Sequence, residues 1–401
     1  MDFYGYMRPN GKAGARNYVL LLPVNRSLNF IASNVERMTR NTRHFEIPAE
    51  TGRTEVDREV IARTLIGLMN NANVGGIVLL AVKSGTGSAY KNMCAERFEE
   101  EARKTGKPFR IVYLTNVGGS YNMLGETLRL TREVLLEVSD FRRENCPLSA
   151  LTLGVKCGTS DATSGIAGNP CVGAAFDQLI RAGGTAFFSE TTEIIGAEDL
   201  VAKRAVNESV AKKILSAAKH WEDKAKATGE DIRKINPIPA NIAAGISSLE
   251  EKSLGAIAKS GTSPIQDVLK YAEMPKGSGL YFVDSWMSSL SLPLCLTACG
   301  ATIMLYQMGG GKIAQHPMMP SINPTVVSPF LYLTGNAIAY SRAPDNFDFD
   351  ASPIMTEGAS IPEMGTKLLE HLSAIASGTM TKMETLNYAE QLELYMEGPV
   401  L

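Results

Sequence analysis

Apolar residues fall into short runs that alternate with helical stretches along this chain. Strand-like runs at 17–24, 74–82 and 110–117 are separated by segments whose apolar residues recur every three or four positions, most clearly in 56–72. The other helical segments of this part are 28–40, 89–106 and 125–145. Strands that alternate with helices predict a parallel sheet covered by helices.

The same alternation continues beyond a polar segment at 142–150, which predicts a linker. A helix is predicted near 171–182, and the charged stretch 199–234, with both signs mixed, predicts solvated surface helices. Further strands are predicted at 151–155, 183–190, 279–285 and 301–308. We therefore expect an α/β chain of two Rossmann-like domains with mostly parallel sheets covered by helices, divided as residues 1–145 and 146–401.

Composition narrows the class of protein. A chain of 401 residues is long enough for two domains, and its net charge of −2 gives no indication of nucleic-acid binding. No apolar run approaches the roughly 18 residues of a membrane span, and the N-terminus lacks the apolar segment of a signal peptide. The 6 cysteines contain no CxxC pair. These features predict a reduced, cytoplasmic protein.

The segment 154–170, GVKCGTSDATSGIAGNP, concentrates reactive groups. A short apolar strand ends in Lys156 and Cys157, and hydroxyls, glycines and Asp161 follow. In α/β proteins the loops after the carboxyl ends of strands carry the functional groups. The segment therefore predicts part of an active site.

A second strand end, SETTEIIGAE, adds three carboxylates: Glu190, Glu193 and Glu198. With Asp161 they are hard oxygen donors suited to Mg²⁺, Mn²⁺ or Fe²⁺, and Cys157 is a further possible ligand. Glu193 and Glu198 are five residues apart, so only some of the set can bind one ion. Two polar strand ends this close in sequence predict one shared pocket.

Other motifs carry weaker indications. The glycine-rich turns 83–88 and 309–312 suit an anion, but neither is a Walker loop, so a nucleotide-binding oxidoreductase is only an alternative. Among the histidines, His316 is an acid–base candidate in a loop after a glycine turn, whereas His220 and His371 are expected to be structural. Cys295 and Cys299 lie in an apolar segment and predict core packing.

Five motifs together resemble the altronate/galactarate dehydratase family: GYMRPNGKAGARNYVLLLP, KCGTSDATSGIAGNP, GGTAFFSETTEIIGAE, NIAAGISSLEEKSLGAIAKSGTSPI and SGTMTKMET. The resemblance extends over nearly the whole chain. It implies a metal-dependent lyase that removes water from a sugar acid by β-elimination, with Fe²⁺ as the first candidate metal and Mn²⁺ or Mg²⁺ as alternatives. The chain is also similar to the large subunit of (2R)-sulfolactate sulfo-lyase, which expels sulfite.

The resemblance also implies roles for individual residues. Lys156, Lys252 and His316 are candidates for the general base or acid. The metal set is drawn from Cys157, Asp161, Glu190, Glu193 and Glu198. Substrate contacts are expected from Arg16, Asn17, Arg53, Lys83, Ser160 and Asn169.

Two departures from the sugar-acid dehydratases concern thiols. Where those enzymes have cysteines, this chain has Gly52-Arg53 and the Val82-Lys83-Ser84 strand end. The exchange makes the pocket more positive, which suits a dianionic substrate. Because both cysteines are replaced, a non-catalytic sugar-acid-binding subunit is an alternative.

A third departure concerns the small β-rich SAF domain with which full-length relatives begin, because the matching motifs start near residue 4. We expect that domain as a separate partner subunit, and we expect the chain to form a homo-oligomer.

Overall fold

The computed structural model of the chain describes residues 1–83, 90–310, 323–386 and 393–399. The strands are β1 Asp2–Met7, β2 Ala13–Gly14, β3 Tyr18–Pro23, β4 Thr42–His44, β5 Val74–Ala81, β6 Phe109–Tyr113, β7 Glu144–Pro147, β8 Thr152–Gly158, β9 Thr185–Phe188, β10 Ile265–Leu269, β11 Gly279–Val283, β12 Ile303–Met308, β13 Phe330–Thr334 and β14 Phe349–Asp350. The helices are α1 Asn29–Met38, α2 Glu55–Asn70, α3 Ala95–Lys104, α4 Leu114–Val117, α5 Ser120–Ser139, α6 Asn169–Arg181, α7 Thr191–Ile194, α8 Glu198–Ala202, α9 Glu208–Ala227, α10 Ile232–Ile235, α11 Pro239–Ala243, α12 Leu249–Ile257, α13 Ser291–Ala298, α14 Ala337–Arg342, α15 Pro353–Thr356 and α16 Ile361–Ala376.

Two parallel sheets form the architecture. The first has four strands in the order β4-β3-β5-β6, and the second has seven in the order β10-β11-β9-β8-β12-β13-β14. All residues of β5, β11, β12 and β13 are buried, and so are all residues of β8 apart from Gly158. Parallel strands covered on both faces read as continuous apolar runs, which is why these segments were recognisable in the sequence. The predicted α/β class with parallel, helix-covered sheets is confirmed.

A small antiparallel sheet, in the order β2-β1-β7, lies outside the prediction. Its strand β7 falls within the segment that was expected to be a linker, and Phe3 pairs there with Cys146. Both residues are buried. Cys146 is the one buried residue of β7, so its polar neighbours hid this strand in the sequence.

The strand predicted at 110–117 is also shorter than expected. It ends at Tyr113 and turns into α4, which Gly118 closes in the left-handed conformation at φ 72°. The helix predicted at 125–145 runs instead from Ser120 to Ser139. Glycine adopts positive φ without strain, so it commonly terminates helices in this way.

The two parallel sheets share apolar packing, because one core cluster includes residues from both halves of the chain. Helix α2 lies so close to α13 that a Cβ at Gly67 would stand 2.2 Å from the Ala298 carbonyl oxygen. The buried Asn73 side chain donates to the Thr302 carbonyl oxygen at 2.8 Å. Because these contacts join the two halves of the chain, the proposed domain boundary at residue 145 stays a prediction.

In the seven-stranded sheet the neighbouring parallel strands β8, β9 and β11 end at one edge. Cys157 and Gly158 are the last residues of β8, Glu190 follows β9 and Asp284 follows β11. This edge holds the charged residues described next.

Candidate functional site

The site is built on the end of β8. Lys156 and Cys157 are its last buried residues, and Gly158 follows because a Cβ there would lie 2.3 Å from the Tyr306 hydroxyl. The Lys156 ammonium lies 5.0 Å from the centre of the Tyr306 ring, a cation–π distance. The strand thus brings an amine and a thiol to the edge of the sheet.

Glu190 enters this edge from the end of β9. It is completely buried and has a left-handed backbone, with φ 75°, immediately before α7. A left-handed backbone costs a non-glycine residue on the order of 1–3 kcal/mol, so surrounding contacts must hold it. One carboxylate oxygen accepts from the Cys157 N–H at 3.1 Å, and the other pairs with the Lys156 ammonium at 3.1 Å.

Glu193 approaches from α7, one turn beyond Glu190. Its Oε2 accepts a hydrogen bond from the Cys157 thiol at 3.1 Å, and its Oε1 lies 3.5 Å from the Lys252 ammonium. Lys252 belongs to α12 and also donates to the Asn236 side-chain oxygen at 2.6 Å.

Lys259, which the sequence reasoning missed, completes the cluster. Its ammonium lies 3.1 Å from the Cys157 sulfur and 3.4 Å from Glu193 Oε2, and it forms an ion pair with Glu190. Lys259 lies on a 3₁₀ turn that packs tightly on α6, where a Cβ at Gly173 would stand 2.2 Å from the Ala258 carbonyl oxygen. We call the whole cluster the Cys157 group: Lys156, Cys157, Glu190, Glu193, Lys252 and Lys259.

The charges of the Cys157 group do not cancel, because three lysines face two glutamates. Burial and the two neighbouring carboxylates raise the pKa of the Cys157 thiol well above its usual range. Burial opposes ionisation of Glu193, but the three lysines outweigh it and lower the pKa of Glu193 to about 2. Burial also acts to lower the pKa of Lys259, yet the adjacent Cys157 and glutamates raise it overall. These pKa shifts favour the protonated thiol of Cys157, the carboxylate of Glu193 and the ammonium of Lys259.

Three members of the group have the donor atoms of a metal site. The ligand atoms of Cys157, Glu190 and Glu193 all lie within 4.8 Å of one another, and all three residues are buried. One sulfur and two carboxylate oxygens are a donor set that fits a divalent transition metal. The same three donors surround the Lys259 ammonium.

A cavity of about 280 Å³, lined by both polar and apolar residues, adjoins the Cys157 group, and Lys252 belongs to both. Ser160 and Asn169, which were expected to bind substrate, line this cavity with Asp161. The Asn169 side-chain oxygen is buried and has no hydrogen-bond donor among the described residues. Buried polar atoms are nearly always paired, so an unpaired acceptor on a cavity wall suits a bound ligand.

Asp161 lies on the cavity wall and not within the Cys157 group. Its Oδ1 accepts from the Thr163 hydroxyl and from the Ser164 N–H, at 2.6 and 3.1 Å, which caps the π-helical turn Ser164–Gly168 before α6. Its Oδ2 accepts from the Asn336 side chain at 2.9 Å. Its carboxylate is therefore occupied by local hydrogen bonds.

Glu198 lies outside the group as well. It begins α8, accepts a hydrogen bond from the Gly196 N–H and lies 3.6 Å from Arg233. Of the five predicted metal ligands, the fold thus brings together Cys157, Glu190 and Glu193.

The residues expected to bind substrate from the first half of the chain lie elsewhere. Arg16 pairs with Glu384 at 2.6 Å, and Asn17 joins the Arg8 guanidinium to the Val138 carbonyl oxygen. Both line a separate cavity of about 1060 Å³.

Arg53 is half-buried just before α2, and Lys83 is exposed after β5; no hydrogen bond or ion pair in the described ranges links either side chain to the Cys157 group. His316 lies outside the described residues, as do most of the two glycine-rich turns. Cys295 and Cys299 are buried, so their predicted core packing is confirmed. None of the helices in the described ranges combines the length and apolar content that crossing a bilayer requires.

A parallel α/β chain that gathers a thiol, two carboxylates and three lysines beside a cavity has the groups of an enzyme acting on small anions. Two family models match it: "D-galactarate/Altronate dehydratase, C-terminal" over residues 148–399, and "D-galactarate dehydratase/Altronate hydrolase, second domain" over residues 5–139. The chain belongs to the D-galactarate/altronate dehydratase family, as the sequence motifs predicted. The family and the buried Cys157, Glu190 and Glu193 together suggest a metal site.

Curated relatives match almost the full chain. It is 32% identical over 395 residues to the (2R)-sulfolactate sulfo-lyase subunit beta of Chromohalobacter salexigens, covering 97% of this chain and 96% of that one. It is 29% identical to an altronate dehydratase of Bacillus subtilis, covering 100% of this chain and 78% of the relative. It is 30% identical to the galactarate dehydratase (L-threo-forming) of Escherichia coli, with 99% and 77% coverage. These names are those of lyases, the class that the sequence predicted.

Proposed function

We propose that this protein is a metal-dependent lyase that performs β-elimination of water on a hydroxy-carboxylate of the sugar-acid type. The observation that carries the proposal is the Cys157 group itself, a buried cluster of acids, amines and a thiol that shares Lys252 with an adjoining cavity. The altronate and galactarate dehydratases among the relatives support the substrate class.

The reaction requires loss of a proton from the carbon next to a carboxylate. A bound divalent metal would supply the positive charge that stabilises the enediolate formed on this loss. Cys157, Glu190 and Glu193 are the residues that would hold it. Thiolate ligation favours Fe²⁺ over Mg²⁺, so Fe²⁺ is our first choice, with Mn²⁺ next.

Lys252 is the residue best positioned to move the proton. It lies 3.5 Å from Glu193 on one side and lines the cavity on the other, so its amine can reach both the charged group and a bound substrate. Lys156 contacts Glu190 and the Tyr306 ring, and is better suited to holding Glu190 in position. Positioned acid–base groups contribute roughly 10²- to 10⁴-fold to such reactions.

Ser160 and Asn169 would orient the substrate hydroxyl groups. The unpaired Asn169 oxygen can accept a hydrogen bond from a hydroxyl, whereas its amide nitrogen already donates to the Gly255 carbonyl oxygen at 2.8 Å. A polyhydroxy acid offers several such donors. An apolar acid would leave the Asn169 acceptor unpaired, which costs binding free energy.

A second candidate reaction is the release of sulfite from sulfolactate. Its support is the 32% identity to a sulfo-lyase subunit matched over 96% of its length. Sulfite departs without an acid, whereas hydroxide needs one, so the two reactions make different demands on Lys252. The name "subunit beta" also supports a proposed partner subunit for this chain, for which a small SAF-type protein is our candidate. We further propose that the chain forms a homo-oligomer.

The test is a substrate panel. The chain is assayed with Fe²⁺ under anaerobic conditions, both purified alone and as the complex recovered by a tag from its native cells. Altronate, galactarate and sulfolactate are offered, and 2-keto acid and sulfite are measured. A 2-keto acid without sulfite supports dehydration, and sulfite from sulfolactate supports the second candidate. No product from either preparation would contradict both and favour a non-catalytic binding subunit.

A further inference from the structure

The Lys259 ammonium lies among the three atoms that would bind a metal. It is 3.1 Å from the Cys157 sulfur and 3.4 Å from Glu193 Oε2, and it pairs directly with Glu190. The side chain of Lys259 is 2% exposed, so no water shell competes with these contacts. The cation that contacts all three donor atoms is therefore a lysine side chain.

An ammonium and a metal cannot share this position. Metal–ligand bonds to oxygen and sulfur are about 2.0–2.3 Å long, and the three donors already lie within 4.8 Å of one another. A metal bound to all three would therefore stand within contact distance of the Lys259 nitrogen. Two cations this close inside a protein repel strongly.

We propose that Lys259 is an internal cation that holds the metal position in the unloaded chain, and that a divalent metal binds only by displacing its ammonium group. This inference rests on the proposed function, because it takes the Cys157 group to be the metal site. It assigns to Lys259 a positioning role that is distinct from acid–base catalysis.

The exchange also limits the change in charge. Three lysines face two glutamates in the Cys157 group. A divalent metal brings two positive charges, and displacement of the Lys259 ammonium removes one positive charge from the same position.

Lys259 also joins the two carboxylates of the proposed metal set. Glu190 and Glu193 are both buried, and a buried carboxylate is destabilising unless a counter-charge lies close to it. Lys156 pairs with Glu190 and Lys252 with Glu193, whereas Lys259 pairs with both. A chain without this ammonium should need the metal more and should bind it more tightly.

The test measures Co²⁺ binding by the chelator-treated wild type and by Lys259→Met, using calorimetry and thermal unfolding. A second variant, Lys212→Met, is the control, since it removes the same charge from an exposed position of α9 outside the Cys157 group. We expect Lys259→Met to bind Co²⁺ at least tenfold more tightly than the wild type, and Lys212→Met to stay within about threefold of it. Co²⁺ should raise the Tm of Lys259→Met more than that of the wild type. Equal or weaker binding by Lys259→Met would overturn the proposal.

A second measurement on the wild type needs no variant to fold. Lysine acetylation is followed by mass spectrometry with and without Co²⁺, and displacement predicts at least a threefold rise in labelling of Lys259 with no rise at Lys156. Unchanged labelling of Lys259 in Co²⁺-loaded protein, or absence of Co²⁺ binding in every form, would also overturn the proposal. Turnover is assayed on the same preparations. If products form but Co²⁺ does not displace Lys259, only the proposed role of Lys259 is rejected. If Co²⁺ displaces Lys259 but no product forms, only the lyase function is rejected.

Discussion

Two buried charged clusters of this molecule differ in how completely they are paired. Around Arg16, one guanidinium meets one carboxylate, Glu384, at 2.7 and 2.6 Å, and its other N–H groups donate to the carbonyl oxygens of Ala15, Ile375 and Thr379. In the Cys157 group, by contrast, three lysines face two glutamates, and Asn169 of the adjoining cavity has a side-chain oxygen with no donor among the described residues.

The difference separates a structural cluster from a functional one. In a charge-balanced pair whose hydrogen-bonding groups are all occupied, no group is left to bind a ligand, and loss of either side chain lowers the stability of the fold. An unbalanced cluster beside a cavity retains the capacity to bind and react, which is where strongly shifted pKa values tend to occur. Arg16 was expected to bind substrate, and its geometry instead suits the joining of the N-terminal segment to the C-terminal one.

The largest expected effect follows from Glu190→Gln. The change removes a metal ligand and leaves Lys156 and Lys259 without their shared carboxylate. We expect turnover to fall at least about 10³-fold with loss of bound metal, because metal catalysis supplies several kcal/mol. Metal content and steady-state rates measure this, with the exposed Glu363→Gln as control. Full metal content together with full turnover would place the reaction elsewhere.

Lys252→Met should leave the metal bound but slow the reaction. Loss of a positioned proton-transfer group is expected to lower kcat by roughly 10²- to 10⁴-fold. The same substitution at the exposed Lys212 of α9 is the matched control and should have no effect on kcat. A lowered kcat for dehydration with unchanged sulfite release would assign acid catalysis to Lys252. An unchanged kcat for both reactions would remove it from the mechanism.

Glu384→Gln tests the saturated cluster. Breaking one side of a buried ion pair is expected to lower the free energy of unfolding by about 3–5 kcal/mol. The kcat of the folded variant should stay within about twofold of the wild type, since the Cys157 group is untouched. Chemical denaturation and substrate kinetics measure the two quantities. A several-fold rise in KM with unchanged stability would return Arg16 to the substrate site.

A smaller effect is expected in the pH dependence of stability. The pKa of Glu193 is lowered from its usual value near 4.5 to about 2 in the folded chain. Its contribution is therefore fully present above pH 4.5 and is lost as the pH falls toward 2, on the order of 3 kcal/mol. Urea unfolding of the wild type between pH 5 and 2 should show this loss, and Glu193→Gln should flatten it. Parallel pH profiles for the two proteins would contradict the lowered pKa.

Much of the fold was predictable because parallel, fully covered strands leave continuous apolar runs. Strands β3, β5 and β12 fall within two residues of the segments proposed from the sequence. Strand β7 was missed because only Cys146 of its four residues is buried, so no alternating pattern exists to detect.

The site was predictable where chemistry and strand ends coincide, as at Cys157, Glu190 and Glu193. Lys259 was missed because a lysine before Ser-Gly resembles a solvated helix end, and only the packing of its turn against α6 buries it. Asp161 is a carboxylate three residues before a serine N–H that it caps, a helix-start pattern already visible in SDATS. The capping role of Asp161 was therefore predictable from the sequence.

The central claim is that Cys157 is a ligand of the catalytic metal. The most direct measurement is the near-ultraviolet absorption of the Co²⁺-loaded chain, where a thiolate bound to cobalt gives a charge-transfer band. We predict this band in the wild type and its loss in Cys157→Ser. A band of equal intensity in the serine variant, or none in either protein, would contradict the account.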